Sequence, residues 1–65
     1  MTTKDKLLHI AAQMDQLKRE IHALAQPVSH GGAPDVSLAA SHKLGVVQGF
    51  LFYGARKLTE VADAL

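Results

Sequence analysis

KDKLLHIAAQMDQLKREIHAL, residues 4–24, carries large apolar side chains at Leu7, Ile10, Met14, Leu17, Ile21 and Leu24. Their spacings alternate between three and four, the heptad signature of an amphipathic helix with one sticky seam. Lys6, Asp15, Lys18, Arg19 and Glu20 fall off that seam. Thr2 or Thr3 can cap the helix, and Asp5 sits in the first turn, where a negative charge meets the positive end of the helix dipole. Pro27 ends it, because it lacks a donor and biases Gln26 away from helical geometry.

Residues 27–34, Pro-Val-Ser-His-Gly-Gly-Ala-Pro, read as a loop. Asp35 offers an N-cap for a second helix with its own seam: Ala40, Leu44, Val47, Leu51, Gly54, Leu58, Val61 and Leu65. Two seams of matching period joined by a short Gly/Pro loop predict an all-α fold, a two-helix antiparallel hairpin. Its expected boundaries are a helix over about 3–26, a loop over 27–34 and a helix over about 35–64, all one domain. No strand pattern, repeat or low-complexity segment interrupts this layout.

A chain of 65 residues buries only a modest share of its surface, and it has no cysteine with which to staple itself. Self-association is the remaining way to enlarge the core. The second helix points the same way. Val46, Phe50 and Tyr53 flank its seam on one side, and Phe52 projects from another face in line with Ser41, Gly45, Gln48 and Arg56. A helix apolar almost all round is buried on more than one side. Ser41, Gly45 and Gly49, spaced by four, form a small-residue groove that lets another backbone or a ligand approach. The expected oligomer interface is therefore Ser41, Gly45, Gln48, Gly49 and Phe52, in a homo-oligomeric helical bundle of two or more copies.

Chemistry is harder to find. His9, His22, His30 and His42 show no pair at helical ligand spacing, so no metal site is expected. Ser29 and His30 are adjacent on a Gly-rich loop without a third group to orient the imidazole, so no catalytic site is expected either. The loop lacks a phosphate-binding signature, and no cofactor is implied. The formal charge of +1 disfavours a nucleic-acid partner, and no apolar run approaches the ~20 residues of a membrane span. The first residues lack the apolar core of a secretory signal, which leaves a cytoplasmic protein as the expectation.

Between Val36 and Thr59 the only charges are Lys43, Arg56 and Lys57, with Phe50, Phe52 and Tyr53 among them. Aromatic faces stack on bases, and cations neutralise phosphates. The stretch Leu38-Ala39-Ala40, Lys43, Val47-Gln48-Gly49-Phe50-Leu51 and Arg56 resembles the second hairpin helix of a phage family. These are the anti-CBASS and anti-Thoeris sponges, which sequester cyclic nucleotide signals of bacterial immunity. The resemblance covers residues 35–58. Arg56 falls one residue later than in the family pattern, and an aromatic near Leu38 is missing. The resemblance implies a helical hairpin in symmetric oligomers, acting in the host cytoplasm, with ligand held between subunits. It makes Lys43 and Arg56 phosphate contacts, and Phe50 or Tyr53 stacking or pocket-wall residues beside Gly49. The expected function is thus a non-enzymatic sponge for a small nucleotide-like anion. The alternatives are a protein-protein interaction module docking through Phe52 or Tyr53, and a nucleic-acid-binding hairpin dimer.

Overall fold

The computed structural model describes all 65 residues, and it contains two α-helices, α1 (Thr3–Ala25) and α2 (Leu38–Asp63), with one short 3₁₀ turn at Val28–His30 between them. Thr2 caps α1. Its hydroxyl accepts from the Asp5 N–H at 3.1 Å, while the Asp5 carboxylate accepts from the Thr2 N–H at 3.2 Å. Two orphan donors are thereby satisfied in one reciprocal pair. α2 begins later than Asp35. The cap is Ser37, whose hydroxyl accepts from the Ala40 N–H at 3.1 Å. Asp35 lies in the preceding turn, where the Val36 N–H donates to the Ala33 carbonyl.

The connection folds back onto the end of α1. The Ala33 N–H donates to the Leu24 carbonyl, and the His30 and Gly32 N–H groups both donate to the Pro27 carbonyl. Gly31 holds a left-handed φ of 86°, which only glycine adopts without cost. Gly32 is buried, and a Cβ there would fall inside the Gln26 carbonyl. The two glycines therefore do different work: one turns the chain and the other lets two backbone segments touch.

The helices pack antiparallel. Ala25 meets Ser41, His22 meets Gln48, Lys18 meets Phe52 and Met14 meets Gly54, so each step down α1 is matched by a step back along α2. The inward residues of α1 are Leu7, Ala11, Met14, Lys18, Ile21 and Ala25; those of α2 are Ser41, Leu44, Gln48, Leu51, Ala55, Leu58 and Ala62. Both rows keep heptad spacing. Every second member, however, lies one position later than in the row of large apolar residues. Ala11 is inward where Ile10 is half exposed, Ala25 where Leu24 is, and Ala62 where Val61 is.

Small residues at the contact let helix axes approach closely, which is the gain from turning alanine inward. The consequence is a thin molecule with little core. Its extents are 43 × 18 × 13 Å, barely more than one helix thick. Only Ala11 and Ala62 are buried among the apolar residues, and no large side chain is fully enclosed.

Candidate functional site

Two broad faces and one outer edge follow from this rotation. On one face, Ile10, Leu17 and Leu24 run along α1 at seven-residue spacing, and Val47 and Val61 run along α2 with Gly54 between them. Met14 joins the two rows, because its terminal methyl lies against Gly54. The Cβ of any other residue at 54 would sit 2.5 Å from that methyl. The row itself is apolar, with Gln13, Gln16 and Glu20 beside Leu17 and Lys43 on the flank of Val47.

The opposite face is mixed, with charged groups set among Leu8, Phe52 and three alanines. Leu8, Ala11, Ala12 and Asp15 of α1 and Phe52, Ala55, Arg56 and Thr59 of α2 line an open groove of about 430 Å³. Asp15 pairs with Lys18 at 3.2 Å and with Arg19 at 2.9 Å, and Lys18 also places its ammonium 5.0 Å from the Phe52 ring centroid. Exposed pairs of this kind contribute about 0–1 kcal/mol each; they keep the groove charged more than they stabilise it. Farther along the same face, His22 Nδ1 lies 3.1 Å from Gln48 Oε1, and Gln26 Nε2 lies 2.7 Å from His22 Nε2. A ring with Nδ1 protonated satisfies both contacts, donating to Gln48 and accepting from Gln26.

The residues expected to form an oligomer interface distribute unevenly. The Ser41 hydroxyl donates to the Ala25 carbonyl at 2.9 Å, so it ties α2 to the end of α1. Gln48 is engaged by His22, and Phe52 lies beneath Lys18. Gly45 and Gly49 face open space, with nothing within 4 Å of where a Cβ would stand.

The expected ligand residues occupy three different aspects of α2. Lys43 and Phe50 stand on the flank beside Val47, the ring of Phe50 being 71% exposed. Gly49 and Tyr53 lie on the outer edge, away from α1, and Lys57 Nζ sits 5.3 Å from the Tyr53 centroid. Arg56 lines the open groove. Lys43 and Arg56 are thirteen residues apart, roughly 20 Å along the helix, so one hairpin does not bring them together. Glu60 pairs with Lys57 at 3.0 Å rather than with Arg56. Of the three cations on α2, Lys43 and Arg56 have no carboxylate partner.

Ser29 Oγ lies 3.3 Å from His30 Nδ1 on the exposed turn, and no group orients the ring from behind. No three His, Asp or Glu side chains converge. No helix is long and apolar enough to cross a membrane. No family model, no characterised protein and no solved structure matches the chain.

The half-exposed row of Ile10, Leu17, Leu24, Val47 and Val61 is the feature that sequence reasoning placed in the hairpin seam. A signal for it exists in the pairs Ile10-Ala11, Leu24-Ala25 and Val61-Ala62. A large apolar residue beside alanine at a seam position offers two registers, and close approach favours the alanine.

Proposed function

We propose that this chain is a non-catalytic, homo-oligomeric binding protein that captures a small anionic, nucleotide-like ligand between subunits. The observation that carries the reading is the state of Lys43 and Arg56. Both are free of carboxylate partners. Arg56 shares its groove with the Phe52 ring, while Lys43 stands on the same flank as the exposed Phe50. The two cations are too far apart for one hairpin to close on a small molecule. A second copy supplies the missing half of such a site. Cations that end in water without a partner suit phosphate, and ring faces such as that of Phe50 suit a base. The resemblance of residues 35–58 to the phage cyclic-nucleotide sponges supports the same ligand class.

The test is a melting series with cyclic di- and trinucleotides. A ligand that binds only the folded state stabilises it by mass action, about 2.7 kcal/mol at a hundredfold excess over Kd. The expected result is a rise in Tm for at least one cyclic nucleotide, abolished by Lys43→Ala and by Arg56→Ala. No shift across the series removes the proposal. A co-purifying protein lost on Phe52→Asp would then move the function to protein docking.

A further inference from the structure

We infer that the apolar face bearing Ile10, Leu17, Leu24, Val47 and Val61 is the surface on which a second copy of this chain sits, face to face, to make a four-helix bundle. The inference takes from the reading above only that the chain associates with itself; its interface is not the one marked by Ser41, Gly45, Gln48, Gly49 and Phe52. It leaves Arg56 on the opposite groove, so a ligand site that uses Arg56 needs a further contact beyond this pair.

Three observations select the face. The five side chains are 40–52% exposed although each is a core-type residue at heptad spacing. On the opposite face Ser41 and Gln48 are tied to α1 through Ala25 and His22, and Lys18 stands over the Phe52 ring, which stays exposed on its other side. That face also carries the charges of Asp15, Lys18 and Arg56, which are expensive to enclose. The apolar face carries its polar groups at the margins, Lys43 on the α2 flank and Gln13 and Glu20 on the α1 side of Leu17. Its inward neighbours are Met14, Leu51 and Leu58, so covering it would turn a shallow seam into an enclosed core.

The area of the whole surface suits a second copy as the occupant. The chain exposes 4804 Å². A folded monomer of 7.0 kDa is expected to expose roughly 4,000 Å². The surplus is roughly 800 Å², the share that one partner contributes to an interface of standard size. An outline of 43 by 18 Å bounds a face of similar area. A second hairpin, equally long, equally wide and with the same unpaid surplus, fits it edge to edge. A two-fold operator makes this contact isologous and closed, so assembly stops at a pair through this face.

The experiment is sedimentation velocity on the full chain at micromolar concentration, comparing wild type with Leu17→Asp, Val47→Asp and Phe52→Asp. The wild type is expected at twice the 7.0 kDa chain mass. Leu17→Asp and Val47→Asp are expected to weaken association roughly thirtyfold or more, the effect of a central interface side chain worth at least 2 kcal/mol. Phe52→Asp is expected to leave the mass doubled. Unchanged mass in both Leu17→Asp and Val47→Asp, or dissociation by Phe52→Asp instead, overturns the inference.

A second readout does not depend on the aspartate variants folding. The chain has no cysteine, so single Leu17→Cys and Gly45→Cys variants each take one polarity-sensitive dye. Emission is expected to move to the blue with rising protein concentration at position 17 and not at position 45; the reverse pattern overturns the face. A blue shift at 17 that needs anionic phospholipid vesicles, in a chain of unit mass, overturns it in favour of a membrane surface. A nucleotide series without effect, beside a mass halved by Leu17→Asp, supports the face while removing the ligand.

Discussion

The double variant Gly45→Ala, Gly49→Ala separates a solvent face from a packed one. Each glycine sits inside α2 and forfeits helix propensity, about 0.8–1.0 kcal/mol relative to alanine. A Cβ at either position meets no atom within 4 Å, so nothing opposes the gain. The expected stabilisation is about 2 kcal/mol for the pair, which are too exposed to share a packing partner. For a domain this small that is a rise in Tm of roughly 8–16 °C. Thermal melts followed by far-ultraviolet circular dichroism would measure it. Protein concentration must be matched, because association makes Tm depend on it. A fall in Tm, or no change, would refute the reasoning. It would mean that another backbone lies against Gly45 and Gly49 and that the added methyls push it away. The same substitutions at a close helix crossing are disruptive, since small residues there are what lets the backbones meet.

Other consequences follow from the hairpin itself. Gly32→Ala places a Cβ inside the Gln26 carbonyl, and the loop must open, so chemical denaturation is expected to show a loss of at least about 1 kcal/mol. Ser41→Ala removes the tether to the Ala25 carbonyl; a loss of about 1 kcal/mol is expected in the same assay. Ala62→Leu forces a large side chain into a position that is 0% exposed and is expected to cost about 1–3 kcal/mol. Val61→Leu, one residue away on the half-exposed row, is expected to change stability by less. Equal effects at 61 and 62 would contradict the rotation of the seam.

Much of this architecture is legible in the chain. Periodic apolar residues before Pro27 and after Pro34 give two helices, and the glycines between them give a reversal. The Thr2 and Asp5 pair marks the first helix start. The rotation of the seam is harder to read, because periodicity counts Ile10 and Ala11 alike as apolar, and the sum of two adjacent rows still repeats every seven residues. What decides between them is the distance between helix axes, a tertiary quantity that favours alanine at the contact. The second helix start is ambiguous for a similar reason. Asp35 and Ser37 are both good caps, and the choice fell to the residue whose side chain reaches the Ala40 N–H.

The surroundings of the expected site residues were legible only in part. Lys43 and Arg56 stand out by composition, but their separation around and along α2 is a property of the helix, and their lack of carboxylate partners depends on neighbours. Glu60 can reach position 56 or 57 with equal ease, and it takes Lys57. The small-residue row also divides. Ser41 turns toward α1, while Gly45 and Gly49 remain in the open.

The central claim is that a lone hairpin leaves too much apolar surface bare and is completed by its own copy. Sedimentation equilibrium of the wild type across a dilution series, read together with helical circular dichroism, tests it most directly. The expected result is a mass of two or more chains, with helicity falling as dilution separates them. A fully helical species of one chain mass, unchanged down to the lowest concentration measured, would contradict it.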